Sequence, residues 1–392
     1  MNLNLLLMTL CQGLFLTNNV TFIAINGLVG LSMAPLGWMA TLPVTGYVVG
    51  SALSTIPVAH LQRRLGRKRC FQIGLIVAVV AAAACAVAIA QHNFWLLVAA
   101  TLVAGFYSAN ASLYRFAGPE LVAPAHKERA LSFVLAGGIV GAVIGPNLAN
   151  VTRGLVAVPF AGAYLALVVV ALLSLVAVSA IRFPEHTPPL PGAATGRPLS
   201  VIARQPLFIV AVTASALGYG VMNLLMAATP IAMQQCSLPF DRTALVLEWH
   251  VLGMFVPSFF TGHLIRRFGA LSVMATGVLL YAVCVAAALS GIELRHFLLA
   301  LTTLGVGWNF LYIGGSTLLT QAYLPQEKTR AQGAMDFCVF STMAVSSFAS
   351  GALITTRGWA WLSMGSTLPI ALVAAALLWL ALQQRSRSWA AP

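Results

Sequence analysis

Twelve long apolar stretches constrain this chain more than any other feature of its sequence. Each is long enough to cross about 30 Å of hydrocarbon as a helix that rises about 1.5 Å per residue. Only 7% of the 392 residues are charged, too few for the surface of a water-soluble protein of this size. The sequence therefore predicts an all-α polytopic protein embedded in a lipid bilayer. The predicted spans are 3–26, 38–59, 70–90, 93–116, 129–150, 157–181, 206–234, 243–264, 270–291, 296–319, 331–354 and 358–383.

The basic residues indicate orientation and argue against a nucleic-acid partner. The formal net charge is +13, but Lys and Arg stand in short clusters between apolar stretches, as in cytoplasmic loops. With the N-terminus inside, seventeen of the 21 Lys and Arg residues fall on the cytoplasmic side. We therefore expect both termini in the cytoplasm. The first apolar stretch lacks a basic segment before it, so we interpret it as a retained helix.

A proline-rich segment and an internal repeat divide the chain into two halves. Residues 182–205 contain five prolines and predict a cytoplasmic linker between six-helix bundles at 1–181 and 206–392. The sequence HLQRRLG at 60–66 returns as HLIRRFG at 263–269, and PAHKERA at 124–130 returns as PQEKTRA at 325–331. Two loops that match at nearly one offset predict a duplicated unit.

The loop after the second span resembles the signature of the major facilitator superfamily. That signature reads roughly G-x-x-x-D-R-x-G-R-[KR], and here it is Ala59-x-x-x-Arg63-Arg64-Leu65-Gly66-Arg67-Lys68. The first glycine is replaced by Ala59 and the acidic residue by Arg63. With twelve spans and two halves, the chain resembles this family over essentially its full length. The resemblance implies two pseudo-symmetric six-helix bundles with a substrate site between them. The sequence contains no Walker loop or hydrolase motif, so we expect a transporter that is not an enzyme.

Four soft donors stand in two pairs on the seventh and eighth spans. Met222 and Met226 are four residues apart, as are His250 and Met254, so each pair shares one helix face. Thioether and imidazole groups together suit Cu(I). Counted along antiparallel helices, Met226 and His250 both lie about 10 Å deep, with Met222 and Met254 about 16–18 Å deep. The alternatives are that methionine fills gaps in the core and that a lone histidine is structural or relays protons.

The same four residues resemble the paired motif of the CcoA-type copper importers. These bacterial members of the superfamily supply copper for the assembly of a haem–copper cytochrome oxidase. The resemblance implies a secondary copper importer of the bacterial cytoplasmic (inner) membrane, with the four side chains as ligands of a transported Cu(I) and no permanently bound cofactor. A periplasmic copper donor and a cytoplasmic copper chaperone are then the expected partners. The alternatives are an exporter of a small organic molecule and a non-transporting copper receptor or assembly factor.

Other residues are candidates for secondary roles. Glu248 lies inside the eighth span and is either a proton carrier or bonded to a neighbouring helix. Asp336 is expected to pair with basic residues of the cytoplasmic loops as an inner gate. The family resemblance implies a cavity wall that includes Trp308, Asn309 and Tyr312, although hydrogen bonding between helices is the more common role of membrane asparagine. The candidate auxiliary ligands, for which packing is an equal or better explanation, are Met233, Cys236, Met8, Cys11, Met335 and Cys338.

Overall fold

The computed structural model describes residues 2–123, 127–183 and 196–389 of the chain. The first six long helices are α1 (Leu3–Met33), α2 (Gly37–Gln62), α3 (Arg64–Ala90), α4 (Phe94–Ala111), α5 (Lys127–Thr152) and α6 (Ala161–Ala180). The second six are α7 (Pro206–Gln235), α8 (Phe240–Phe255 with Ser258–Phe268), α9 (Ala270–Ser290), α10 (Leu294–Leu319), α11 (Lys328–Thr356) and α12 (Gly358–Gly365 with Thr367–Trp389).

These helices confirm the predicted all-α architecture. Eleven segments of the described chain are long and apolar enough to cross a membrane, and α8 makes a twelfth if its two parts, bent by 43°, form one span. The first helix extends to Met33, beyond the predicted end at residue 26, because the sequence remains apolar there. It ends where Ala34 precedes Pro35, a position at which the helical backbone is sterically disfavoured.

The backbone supports the internal repeat at two equivalent glycines. Gly66 lies near the start of α3, just after the break from α2, with φ of 74°, and Gly269 separates α8 from α9 with φ of 83°. A positive φ is unfavourable for residues with a Cβ atom, so glycine suits both positions. The residues HLQRRLG and HLIRRFG therefore end in the same backbone conformation. The two halves thus share their helix order and the geometry of this connection.

Both chain ends lie on one face of the bundle, which we call the terminal face. Asn2 donates a hydrogen bond to the carbonyl oxygen of Leu121 at 2.7 Å, and the Asn4 side chain accepts one from the Arg182 backbone at 3.1 Å. These contacts place the start of α1 beside the ends of α4 and α6. Because twelve helices alternate in direction, α12 returns to the same face. We call the other side the opposite face.

The two halves pack together towards the opposite face. There Phe22, Ile25 and Leu28 of α1 belong to one continuous apolar core with Ile231 of α7. A second cluster, built from helices of the first half, covers that half towards the terminal face; it includes Leu5, Met8, Phe71, Tyr114 and Val178. The structure therefore has the two halves joined at the opposite face.

Hydrogen bonds and ring contacts also join the halves at the opposite face. Thr41 at the start of the second span donates to the Ser347 carbonyl oxygen of α11 at 2.8 Å. Between the same two helices, the ring centroids of Trp38 and Phe348 are 5.8 Å apart. Phe160, just before α6, contacts Phe240 of α8 with centroids 5.6 Å apart. These contacts close the space between the halves on this side.

Charged pairs on the terminal face lie within each half. Arg67 forms a two-pronged ion pair with Glu120, at 2.5 and 2.6 Å. Glu120 thus supplies the acidic partner of this loop, whose signature acid is replaced by Arg63. Arg197, from the predicted linker, forms two hydrogen bonds of 2.8 Å with Glu327 of the second half. Residues 184–195 of the predicted linker lie outside the described residues, so the boundaries 1–181, 182–205 and 206–392 stay a prediction.

Candidate functional site

Four aromatic side chains form a cluster between α7, α8 and α10. The rings of Trp308 and Tyr312, one turn apart on α10, are stacked with centroids 5.2 Å apart. Tyr219 of α7 meets both edge-on, at 5.2 and 5.5 Å, and Phe255 of α8 contacts Trp308 at 6.2 Å. Phe255 also packs against the cluster of the first half, so the aromatic cluster lies where the halves meet.

The aromatic cluster is accessible although it lies within the bundle. Tyr219, Phe255 and Tyr312 are partly exposed, while Trp308 is buried. Tyr312 and Trp308 lie about 10–17 Å from the end of α10 at the terminal face, and Tyr219 lies roughly 20 Å from the start of α7. These rings therefore lie at mid-membrane depth. Amphipathic aromatic rings in such a place suit a flat organic molecule.

Two side chains of opposite charge stand beside these rings. Arg115 lies in a short helical turn, Tyr114–Ala117, that continues α4 of the first half. Its guanidinium interacts electrostatically with Tyr312, Tyr219 and Asp336 of the second half. Asp336 on α11 interacts electrostatically with Arg115 of the other half, and its expected pairing with basic residues of the cytoplasmic loops stays a prediction. Its function as a gate stays a prediction.

Sequence reasoning did not single out Arg115 and Tyr219, which the structure places beside Trp308 and Tyr312. Arg115 was used only to orient the chain, and Tyr219 lies in an apolar stretch where an aromatic residue carries no separate signal. Trp308 and Tyr312, which the family resemblance puts in the cavity wall, both belong to the aromatic cluster, and their place in a cavity wall stays a prediction. The one available signal for Tyr219 is its spacing, since it lies on nearly the same helix face as Met222 and Met226.

The structure accounts for one ring nitrogen of His250. The side chain is fully buried, and its Nδ1 lies 2.7 Å from the carbonyl oxygen of Leu301 on α10. A carbonyl oxygen only accepts, so Nδ1 carries the proton and the Nε2 of a neutral ring has a free lone pair. No partner lies within hydrogen-bonding range of Nε2 among the described residues. His250 is thus directed towards α10.

The predicted thioether ligands are all buried in the apolar core. Met222, Met226, Met233 and Met254 belong to the same continuous core, each less than 10% exposed. The backbone oxygen of Met254 accepts a hydrogen bond from Asn309 at 2.7 Å, which fixes this turn of α8 against α10. The predicted level pairing of Met222 and Met226 with His250 and Met254 stays a prediction, as does copper ligation.

The auxiliary soft residues lie in two kinds of place. Met8 and Cys11 are fully buried in the core of the first half, with the Cys11 sulfur 3.9 Å from the carbonyl oxygen of Ser174. Met335 and Cys338 share a face of α11, the first buried and the second partly exposed. Cys236 follows the last residue of α7, where desolvation raises the pKa of its thiol and keeps it protonated. A protonated thiol is a weaker soft ligand.

Polar residues between the helices chiefly hold the bundle together. Asn309 donates to the Met254 backbone and to Ser258, and it accepts a hydrogen bond of 2.6 Å from Thr261. Its side chain therefore bonds α10 to α8. Glu248 accepts a hydrogen bond of 3.0 Å from Asn147 of α5, and a role as a proton carrier stays a prediction.

Metal-binding side chains other than thioethers do not converge among the residues that the structure describes. Across residues 2–123, 127–183 and 196–389, no three side chains drawn from His, Cys, Asp and Glu come together in a way that could hold a metal ion. A metal site here would therefore depend on thioethers.

A family model and the fold agree on what kind of protein this is. The model of the Major Facilitator Superfamily matches residues 5–247 and 213–392 in two overlapping parts. The chain belongs to the major facilitator superfamily. It is therefore a membrane transporter by family, as its twelve-helix architecture predicts.

Two bacterial relatives show the range of similarity within this superfamily. "Riboflavin transporter RfnT" of Brucella anthropi is 39% identical over 358 residues, which cover 91% of this chain and 90% of that protein. The "Uncharacterized MFS-type transporter YdeG" of Bacillus subtilis is 27% identical over 372 residues, which cover 90% of this chain and 86% of that protein. Neither name refers to copper, so the narrower resemblance to copper importers stays a prediction.

Two solved structures share the fold at low sequence identity. A bacterial homologue of the iron transporter ferroportin, in an outward-facing state, has a TM-score of 0.66 and 15% identity over 96% of this chain and 99% of its own. The human organic anion transporter MFSD10 has a TM-score of 0.67 at the same identity and coverage. At this identity the likeness concerns the fold alone.

Proposed function

We propose that this protein is a secondary transporter of a small, planar organic molecule of the riboflavin type. The observation that carries the proposal is the 39% identity to a riboflavin transporter over nine-tenths of both chains. The aromatic cluster of Tyr219, Phe255, Trp308 and Tyr312 supports it, because flat rings bind by stacking on aromatic side chains. The sequence leaves an exporter of a small organic molecule open as an alternative to copper import.

The proposed setting is the bacterial cytoplasmic membrane with both termini in the cytoplasm. Seventeen of the 21 Lys and Arg residues then lie on the cytoplasmic side. The terminal face is the cytoplasmic face in this orientation, and the structure is closed towards the periplasm. Transport proceeds by rocking of the two halves, so that the aromatic cluster becomes accessible from each side in turn.

Whole-cell riboflavin content tests this proposal. Cells that produce the protein are expected to differ in riboflavin content from cells with an empty vector. Replacing Tyr219 with Ala removes one ring of the cluster, so cells with this variant should match the empty vector at equal amounts of protein in the membrane. Equal riboflavin content in producing and empty-vector cells would contradict the proposal.

Import of Cu(I) is a second candidate, favoured by the free Nε2 of His250. That nitrogen is buried, unpartnered and part of the His250–Met254 pair, and imidazole with thioether suits Cu(I). Copper donor and chaperone partners belong to this candidate alone. The test is the copper content of cells in which His250 and Met254 are replaced by Ala and Leu. Unchanged content at equal protein level rules out ligation by this pair.

A further inference from the structure

Two hydrogen-bond donors beside the aromatic cluster have no acceptor in the protein. The indole nitrogen of Trp308 and the Nε of Arg115 are both buried, and neither has a partner among the described residues. Buried donors without acceptors cost free energy, and such groups in a native structure call for an explanation. Trp308 comes from the second half of the protein and Arg115 from the first. One ligand between the halves would satisfy both.

The side chains next to these donors indicate which kind of ligand would fit. Tyr312 stacks on Trp308 at 5.2 Å, and its side chain is hydrogen-bonded to that of Arg115, so both donors lie next to one partly exposed ring. A flat ligand against Tyr312 and Tyr219 would present its edge to both donors. That edge must carry hydrogen-bond acceptors, because indole and guanidinium groups only donate.

We propose that Arg115 and Trp308 donate hydrogen bonds to acceptor atoms on the edge of a planar heteroaromatic ring that lies against Tyr219 and Tyr312. This proposal rests on the proposed function and names the contacts by which the substrate ring is recognised. The site is complete only when both halves contribute to it. Because Arg115 lies in the first half and the rings in the second, binding of the ring draws the halves together on the terminal face.

Equilibrium binding to the purified full-length protein tests these contacts. Riboflavin and lumiflavin, which has the same ring system without the ribityl chain, serve as probes, and quenching of flavin fluorescence reports stacking. Arg115→Gln is expected to weaken both probes by about tenfold or more, the effect of losing a hydrogen bond to a charged donor. Arg115→Lys keeps the charge without Nε and should also weaken them. Trp308→Phe keeps an aromatic ring without the donor and should weaken both by about fivefold.

The control is Arg295→Gln, which removes an exposed arginine paired with Glu293 at the far end of α10 and should bind like the wild type. Size-exclusion elution at the wild-type position establishes that each variant is folded. Wild-type binding by Arg115→Gln, or weakening of riboflavin alone and not of lumiflavin, would overturn the inference while leaving riboflavin transport in place. Absence of flavin binding and transport in the wild type would overturn the proposed function, and the flavin ring contacts with it.

Discussion

Thr45 and Ser347 lie in different halves of the protein, and their hydroxyl oxygens are 3.2 Å apart in a direct hydrogen bond. This bond stands beside the contact between Thr41 and the Ser347 backbone on the opposite face. Rocking of the halves must break both contacts when the opposite face opens. Side chains at these positions are close enough for a disulfide if both are cysteine.

The double variant Thr45→Cys, Ser347→Cys is therefore expected to lose transport under oxidising conditions and to recover it after reduction. The two single cysteine variants are the controls, because each keeps the same six native cysteines without the new pair. Riboflavin flux before and after reductant measures the effect. Full transport by the oxidised double variant, with the cross-link established by mass spectrometry, would show that this contact does not open.

Replacement of Gly269 by Ala is expected to lower stability through the backbone alone. Gly269 has a φ of 83°, and a Cβ there would meet no atom within 4 Å, so left-handed strain is the one added cost, about 1–2 kcal/mol. Gly262→Ala is the matched control, because its Cβ also meets nothing within 4 Å and its backbone is helical. Thermal unfolding in detergent should show a lower Tm for Gly269→Ala and an equal or higher Tm for Gly262→Ala. Equal values for both would contradict the strain argument.

Asn309 is expected to act on stability more than on substrate binding. The Asn309 side chain donates hydrogen bonds to the Met254 backbone and to Ser258 on α8, and it accepts one from Thr261. Asn309→Ala therefore leaves these buried partners unsatisfied. The expected loss is about 1–3 kcal/mol, measured by unfolding in detergent. The folded fraction should bind riboflavin with wild-type affinity. A variant with wild-type stability and weakened binding would instead place Asn309 in the substrate site.

The pair of Glu327 and Arg197 predicts a dependence of stability on pH. Hydrogen bonds from the Arg197 side chain, and then from the Leu324 backbone, lower the pKa of Glu327 from 4.5 to about 2. Because this pKa is lower in the folded protein than in the unfolded chain, the ionised carboxylate stabilises the folded protein at pH values above the unfolded-state pKa. This contribution is lost as pH falls towards the folded-state pKa. The Tm difference between wild type and Glu327→Gln should be constant above about pH 5 and shrink progressively as pH falls below about 4.5. A difference that grows with acid would contradict the assignment.

The architecture could be predicted from the sequence because the features that indicate it are local. Apolar length predicts each span, and the repeated loops place Gly66 and Gly269 at equivalent turns. The environment of His250 is different, since it depends on which neighbour α8 packs against, and periodicity along one helix does not contain that information. The same limit applies to Arg115. An arginine at a helix end is explained equally well as an orientation signal or as a residue of a site, and the sequence does not show which residues of the second half lie beside it.

Counterflow in proteoliposomes tests the central claim most directly. Vesicles containing the purified protein are loaded with unlabelled riboflavin and diluted into a trace of labelled riboflavin, so exchange needs neither a known coupling ion nor a known direction. We predict transient accumulation of label that the oxidised Thr45→Cys, Ser347→Cys variant lacks. Vesicles that accumulate no riboflavin, yet take up Cu(I) in a manner abolished by replacing His250 and Met254, would contradict the account and establish copper as the substrate.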